Sequence, residues 1–378
     1  MTLVYMLHLF NYYVGVFTVS DLFLILLVIY VIFKFKKIVL KKSYLPLILF
    51  WIITGVFSLF NLGSDFFSFN DFILAYLKLT LYVFSFVVLL PYFVKNYDKL
   101  NKIIINSLII LCGIGIYQLI AHYLFPYLPY SFAPEIFSNR PGYDAMFSYE
   151  FGGVFFRMKS IYSEPAHFSI YINLLYAYLL HNEIILKKWI HILIITTIIL
   201  TLSLAGIGLL ILNYSLVLIK YKVIKSKKAI FFISVFLGVL AFVASNEYVI
   251  RRVSNIISLT EGSGTRRLFG GFELAKEFPF YGIGLGNLQN FYYSLSKTFE
   301  YATGWQIHNV FPIIFSVSGI IGVCVFLYFL YQLNRNNYLL GIFLLGSFFT
   351  WGYFNTTPFW VFLLLIYTGN MSRSLMLR

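Results

Sequence analysis

The stretch RMKSIYSEPAHFSIYINLLYAYLL, residues 157–180, decides the fold class. Its second half is an uncharged apolar run, which is typical of a membrane-spanning helix. Its first half places Arg157, Lys159, Glu164 and His167 at the entrance to that run. Several ionisable groups therefore collect at one membrane boundary.

The whole chain shares this apolar character. Of its 378 residues, 60% are hydrophobic and 11% are charged, whereas soluble proteins carry about 25% charged residues. We therefore expect an all-α polytopic protein with one membrane domain over residues 1–378. Residues 1–13 are apolar enough to add a short twelfth element to eleven predicted spans. Those spans lie at residues 14–33, 44–62, 69–94, 103–124, 165–181, 189–203, 205–219, 229–246, 308–331, 338–353 and 357–370.

The two neighbouring spans within 189–219 are predicted to form a tight hairpin. This apolar stretch is too long for one span, and the small residues Ser203, Gly206 and Gly208 offer a turn within it.

Charge predicts the orientation. One set of loops carries eighteen of the 28 Lys and Arg residues, and the opposite set carries nine. The positive-inside rule makes the first set cytoplasmic. The two long loops, 125–164 and 247–307, then face outward and are expected to form the site.

Arginine is distributed differently from lysine. Six of the nine arginines fall in the outer loops, where topology does not require them. A guanidinium can hold a phosphate through two parallel hydrogen bonds. We expect Arg157, Arg266 and Arg267 to bind an anionic ligand, whereas lipid headgroups or solvent suffice for Arg140 and Arg251.

Lys78 and Glu164 each have two interpretations. A lysine as deep in a span as Lys78 costs roughly 2.5–3.5 kcal/mol on insertion scales. It either snorkels to the surface or faces an interior cavity and pairs with an anion there. Glu164 either caps the following helix, a role that Ser163 could also fill, or acts as an acid, a base or an arginine partner.

A general base is expected at the outer face. His308 opens a late span beside Asn309, and a neutral imidazole there can accept a proton from a hydroxyl. Glu164 and His167 are the alternatives, and Lys159 and Asn309 are secondary site candidates.

Glycines recur in YGIGLGN, residues 281–287. Their spacing does not fit a dinucleotide fingerprint. They indicate instead a close approach of the backbone to a neighbour or a substrate. The sequence has no nucleotide-binding loop and no acidic cluster for magnesium, so we expect no cofactor, no metal and no nucleic-acid partner.

In their order along the chain, these features resemble the O-antigen polymerase (Wzy-type) family, within the O-antigen ligase and polymerase superfamily. The most specific motif is GSGTRRLFGGFELAKEFPFYGIGLGN followed by His308–Asn309. The second is Arg157, Ser160, Glu164 and Pro165 in the pattern RxxSxxxEP. The hairpin has SLAG where many relatives place Arg or Lys before the glycine, and Lys78 is expected to substitute for that charge.

The resemblance implies a GT-C-type fold and metal-independent inverting glycosyl transfer. The substrate would be an oligosaccharide on undecaprenyl diphosphate, used at the periplasmic face of a bacterial inner membrane. Arg157, Arg266 and Arg267 would bind the diphosphate, with His308 as base. Membrane lipid and a chain-length regulator protein are the other implied partners, and the product would be a surface polysaccharide such as lipopolysaccharide.

Two rival functions stay open at this point. An O-antigen ligase shares the fold and donor but transfers finished polymer to the lipid A core. A flippase for lipid-linked oligosaccharides is a transporter, for which internal repeats and broken helices at the midplane are typical.

Overall fold

The computed structural model describes residues 13–14, 17–35, 42–125, 150–151, 155–160, 162, 164–221, 238, 254, 278–296, 309–349 and 354–376. The predicted span at 229–246 and the twelfth element at 1–13 lie outside this part, apart from Gly238 and Tyr13.

Helices dominate the described residues. In chain order they are α1 (Val19–Phe35), α2 (Leu45–Leu59), α3 (Phe69–Lys95), α4 (Tyr97–Leu124), α5 (Pro165–His181), α6 (Lys188–Leu200), α7 (Leu204–Tyr221), α8 (Leu288–Ser296), α9 (Val310–Asn334), α10 (Tyr338–Phe348) and α11 (Thr357–Met376). A 3₁₀ turn, Lys42–Tyr44, leads into α2. Two antiparallel pairs of two-residue strands, which the sequence did not predict, are β1 (Tyr13–Val14) with β2 (Phe17–Thr18) and β3 (Glu150–Phe151) with β4 (Phe155–Phe156).

Five of these helices are long and apolar enough to cross a membrane: α2 with its preceding turn, α3, α4, α7 and α9. A mostly helical protein with several helices that could span a membrane is therefore confirmed. The predicted hairpin is also confirmed, since α6 and α7 are separated only by Thr201–Ser203. The total of eleven spans stays a prediction.

Proline and a polar cap account for two helix starts. Pro165 opens α5, and Glu164 before it is extended, at φ −135° and ψ 146°, as a residue preceding proline prefers. Asn309 opens α9, where its side-chain oxygen accepts a hydrogen bond from the Phe311 N–H. Such caps satisfy N–H groups that a helix cannot pair internally.

The chain divides into two compact units. The expectation of one membrane domain over residues 1–378 stays a prediction. The first unit is built around α4 to α7. Helix α5 is its core, because nearly every residue from Phe168 to Leu179 is buried. Gly206 of α7 lies directly against the Ser169 side chain of α5, and the Asn173 amide donates to the Gly206 carbonyl at 2.9 Å. The first turn of α7 therefore packs beside the second and third turns of α5.

The second unit holds most of α1, with α2, α3, α8, α9 and α11. Aromatic side chains fill the spaces between these helices. Phe50 of α2 meets Phe326 of α9 at 5.2 Å between ring centroids, and Tyr82 of α3 stacks on Trp360 of α11 at 6.3 Å. Burying such rings against each other contributes both hydrophobic and ring-pairing energy.

Candidate functional site

Arg157 lies at the turn between α6 and α7. Its Nε–H donates to the Thr201 carbonyl at 3.2 Å, and the side chain is half-buried. Because Gly206 at the start of α7 lies against Ser169, one turn after the start of α5, this turn and the start of α5 are at the same end of the first unit. The SLAG motif of the α6–α7 hairpin contains no charged residue. Arg157 places a positive charge at the turn of this hairpin.

Gln118 of α4 fixes the segment that carries Arg157. Its Oε1 accepts from the N–H groups of Lys159 and Ser160 at 3.2 and 2.6 Å, and its Nε2 donates to the Ser160 carbonyl at 2.6 Å. The Ser160 hydroxyl donates to the Leu111 carbonyl at 2.9 Å. Sequence reasoning missed Gln118, although a buried amide inside an apolar run was a usable signal.

Ser160 adopts a left-handed backbone conformation, with φ at 54°. This conformation costs an L-residue roughly 1–2 kcal/mol. The hydrogen bonds from Gln118 and to Leu111 contribute about 0.5–1.5 kcal/mol each and offset that strain. Two helical turns of α4, from Leu111 to Gln118, thus hold the segment in one shape.

Lys159 lies inside the first unit, with 3% of its surface exposed. Its position two residues from Arg157 places a second cation on the same short segment. Burial of an ammonium group is tolerated only where polar or anionic groups surround it. Lys159 therefore belongs to the interior of this end of the unit rather than to its surface.

Glu164 and His167 occupy the first turn of α5. Glu164 stands at the N-cap position, but its side chain makes no capping hydrogen bond, so the capping interpretation of Glu164 is wrong. Ser163, the other cap candidate, lies outside the described residues. Glu164 and His167 are three residues apart, which places them on one face of the helix. Both are partly exposed.

Two further predicted site residues belong to the second unit. Lys78 is half-buried on α3, one turn from Ala75 and one turn from Tyr82. Asn309 is 1% exposed, and its side-chain oxygen is used in capping α9. This contact gives Asn309 a structural role.

The remaining predicted site residues, Arg266, Arg267 and His308, lie outside the described part of the chain. The structure thus brings Arg157, Lys159, Glu164 and His167 to one end of the first unit, and it places Lys78 and Asn309 in the second.

The second predicted outer loop contains a structured piece that we call the glycine segment, residues 278–291. Gly282, Gly284 and Gly286 all have positive φ, at 73°, 90° and 85°. A Cβ at Gly282 would lie 2.5 Å from the Ser316 carbonyl oxygen, and one at Gly286 would overlap the Asp71 carbonyl. The predicted close backbone approach is confirmed, and the neighbours are helices of the same unit.

The glycine segment fills a break in α9. At Gly319 the helix is interrupted, with φ 62° and ψ −169°. The Ile283 N–H donates to the Ser316 carbonyl at 2.7 Å, and the Ile320 N–H donates to the Pro279 carbonyl at 2.9 Å. The backbone groups that the break exposes are therefore paired by the segment, as a protein in a bilayer requires.

Polar side chains attach the glycine segment to α2 and α3. The Ser58 hydroxyl accepts from the Leu285 N–H at 2.8 Å, and the Asn290 amide donates to Asp71 at 2.9 Å. The Asn287 side-chain oxygen accepts from the Ser68 N–H at 2.6 Å. The loop between Arg267 and His308 is thereby fixed at its centre.

Comparison of the chain with models of protein families and with curated proteins gives no match. The resemblance to the O-antigen polymerases stays a prediction from the sequence motifs.

Proposed function

We propose that the chain is a polymerase of surface polysaccharide, of the O-antigen polymerase type. It joins oligosaccharide repeat units that are carried on undecaprenyl diphosphate. The observation that carries the proposal is the hydrogen bond from Arg157 to the Thr201 carbonyl, which fixes a guanidinium at the end of the first unit where α5 begins. Glu164 and His167 start α5 at that same end.

Glycosyl transfer from a diphosphate requires both a cation and a base. In the reaction the bond between the anomeric carbon and the diphosphate oxygen breaks, and a bond forms between that carbon and an acceptor hydroxyl oxygen. Negative charge grows on the departing diphosphate, and a fixed guanidinium stabilises it. The hydroxyl proton passes to a base.

Three groups are base candidates in this proposal: His308, Glu164 and His167. A base on the face of the sugar opposite the diphosphate gives inversion at the anomeric carbon. No metal is needed, because arginines neutralise the diphosphate charge. Arg266 and Arg267 are assigned to that role with Arg157.

The lipid carrier explains why the proposed site lies at the membrane boundary. The polyprenyl tail stays in the bilayer, so its diphosphate lies at the boundary between lipid and water. In this proposal the chain has eleven spans in a GT-C-type arrangement, lies in the bacterial inner membrane and works at the periplasmic face. A chain-length regulator is a proposed partner.

Reconstitution tests the proposal. The purified chain in lipid nanodiscs is given undecaprenyl-diphosphate-linked repeat units, with a chelator and without nucleotide. We expect a ladder of elongated products from the wild type, and a loss of at least 100-fold in rate for Arg157→Ala. Arg335→Ala is the matched control, since Arg335 is exposed at the end of α9.

Other outcomes identify other functions. Transfer of glycan to added lipid A core, without a ladder, would identify a ligase. Movement of the substrate between leaflets without a new glycosidic bond would identify a flippase. Either result would contradict the polymerase assignment.

A further inference from the structure

The last turns of α1 and α3 meet at the ring of Tyr92. Its centroid lies 6.3 Å from that of Tyr30 and 5.6 Å from that of Phe35, both edge to face. The Lys34 ammonium lies 5.8 Å from the Tyr92 centroid, and the Lys95 ammonium lies 5.4 Å from the Phe35 centroid. We call these five residues, which all belong to the second unit, the Tyr92 cluster. Two lysines from different helices are thus attached to one group of rings.

The rings hold both ammonium groups at the surface. Tyr92 is 7% exposed, whereas Lys34 and Lys95 are exposed. Lys34 Nζ also donates to the Tyr30 hydroxyl at 3.0 Å. Lys95 follows Tyr92 by three residues, so the two share one side of α3. A buried ring therefore supports two cations that a ligand can reach without entering the core.

The protein supplies no counter-charge to these lysines. Neither ammonium group forms an ion pair within the described part of the chain. By comparison, Lys220 at the end of α7 pairs with Glu183 at 2.7 Å. The sequence that follows Lys34, residues 35–43, contains four more lysines and no acidic residue. An anion from outside the chain therefore complements this end of the second unit.

The Tyr92 cluster lies at a membrane boundary in the predicted topology. Lys34 directly follows the predicted span 14–33, and Lys95 directly follows the predicted span 69–94. The positive-inside rule places both on the cytoplasmic side. Anionic lipid phosphates lie at this boundary, and lysines beside it are attracted to them. The predicted depth of the two cations therefore matches that of a lipid headgroup.

An exposed apolar stripe on α1 leads away from the cluster toward the middle of that helix. Leu26, Ile29 and Phe33 are 61%, 44% and 74% exposed. Their spacing of three and four residues puts them on one face of α1. Tyr30 lies on the same face, and Lys34 follows it by four residues. A hydrocarbon chain along this face would end with its head at Lys34, about 12 Å from Leu26 along the axis.

We propose that the Tyr92 cluster binds the phosphate of an anionic glycerophospholipid in the cytoplasmic leaflet, with an acyl chain along Leu26, Ile29 and Phe33. The stripe alone would accept any lipid, and the lysines select a net negative charge. A zwitterionic headgroup complements them less well, because its own cation offsets its phosphate. The bound lipid bridges the ends of α1 and α3. This inference is independent of the proposed function, since it holds whichever reaction the chain performs.

Native mass spectrometry of the purified full chain, titrated in detergent with dioleoylphosphatidylglycerol, tests the inference. We expect the wild type to retain this lipid in preference to dioleoylphosphatidylcholine, which has the same acyl chains. Lys34→Gln and Lys95→Gln should each weaken binding of the tightest phosphatidylglycerol about fivefold, and the double variant about 25-fold. Equal retention of the two lipids by the wild type, or unchanged binding in the double variant, would overturn the inference.

A second pair of lysines provides a control with the same change of charge. Lys187 and Lys188 are exposed at the start of α6, and in the described part of the chain no aromatic ring lies beneath them. Lys187→Gln combined with Lys188→Gln should bind phosphatidylglycerol as the wild type does. An equal loss in this control would show that net charge, and not the Tyr92 cluster, retains the lipid.

Conservative changes test the cluster itself. Lys34→Arg combined with Lys95→Arg keeps both the charge and the attraction to the rings, so binding should stay within about twofold of the wild type. Tyr92→Phe keeps the central ring and should bind equally well. If the arginine variant bound as weakly as the glutamine variant, the assignment of the two cations would be wrong.

Thermal unfolding separates lipid binding from folding. Without phosphatidylglycerol, the double glutamine variant should unfold close to the wild-type Tm, because both side chains are exposed. With saturating phosphatidylglycerol, its Tm should rise less than that of the wild type. A lower Tm without lipid, together with an unchanged lipid-induced rise, would give the lysines a structural role only and overturn the site.

Competition identifies the occupant. Inorganic phosphate and glycerol 3-phosphate carry the anion without an acyl chain, so neither should displace phosphatidylglycerol at equal concentration. Leu26→Ser should weaken phosphatidylglycerol binding, because it places a hydroxyl on the exposed stripe. Displacement by inorganic phosphate would mean that an ion is sufficient, and displacement by undecaprenyl phosphate at lower concentration than phosphatidylglycerol would mean that a polyprenyl carrier binds there. Either outcome overturns the phospholipid assignment.

Discussion

The Gln118 side chain hydrogen-bonds both backbone groups of Ser160. Its Nε2 donates to the Ser160 carbonyl and its Oε1 accepts from the Ser160 N–H, each at 2.6 Å. The two residues are 42 positions apart in the sequence. One buried amide therefore sets the path of the segment that carries Arg157.

Replacing Gln118 by Leu should lower stability and elongation together. The change removes the partners of three backbone groups, and each buried group left unsatisfied costs about 1–3 kcal/mol. We expect a fall in Tm by several degrees and a loss of elongation as Arg157 leaves the hairpin turn. Gln332→Leu, which removes an exposed bond to Tyr328, is the control. Unchanged elongation in Gln118→Leu would contradict the positioning role.

Gly286→Ala should be strongly destabilising. Its φ of 85° strains any L-residue by about 1–3 kcal/mol, and the new Cβ would overlap the Asp71 carbonyl. Gly208→Ala is the matched change, because Gly208 has an open environment within α7. It should raise stability by about 0.5–1 kcal/mol. Thermal unfolding in detergent measures both, and a harmless Gly286→Ala would refute the packing described for the glycine segment.

The contact between α5 and α7 predicts that a second substitution restores the stability lost through a first. In Gly206→Ala the added methyl group would overlap the Ser169 side chain, so the two helices must separate. We expect a loss of about 1–3 kcal/mol, the usual range for overpacking. Adding Ser169→Gly removes the overlapping atoms and should recover much of that loss. A double variant no more stable than Gly206→Ala alone would show that the strain lies elsewhere.

Substitution of the candidate bases separates their roles. His308→Ala should reduce elongation by about 10²–10⁴-fold while lipid-linked repeat units accumulate. Glu164→Gln should leave the Tm unchanged, because the Glu164 side chain makes no capping bond. Wild-type turnover in His308→Ala would transfer the base role to Glu164 or His167, and single variants at those positions then identify which.

Local pattern was sufficient for several features of the fold. Apolar runs predicted where α3, α4 and α9 lie, and small residues near Ser203 predicted the turn before α7, because these depend on adjacent residues. The three glycines of 281–287 predicted a close backbone approach for the same reason.

Contacts between distant residues could not be derived in this way. The sequence does not reveal that Gln118 pairs with Ser160, that Arg157 turns toward Thr201, or which helices the glycine segment meets. Such pairings follow from how helices pack, and apolar runs specify packing partners only weakly. Of the two interpretations of Glu164, capping is the one that the structure contradicts, because the side chain makes no bond to the first turn of α5.

The break in α9 has a consequence for biogenesis. The ribosome releases Pro279 and Ile283 before Ser316 and Ile320, so the groups that complete the break are synthesised ahead of it. Helix α2, which also holds the glycine segment through Ser58, emerges earlier still. A nascent chain truncated after α9 already contains every one of these bonding groups, whereas one truncated before residue 316 leaves the Ile283 amide without its acceptor. Insertion of α9 is thereby the step that locks the preceding loop in place.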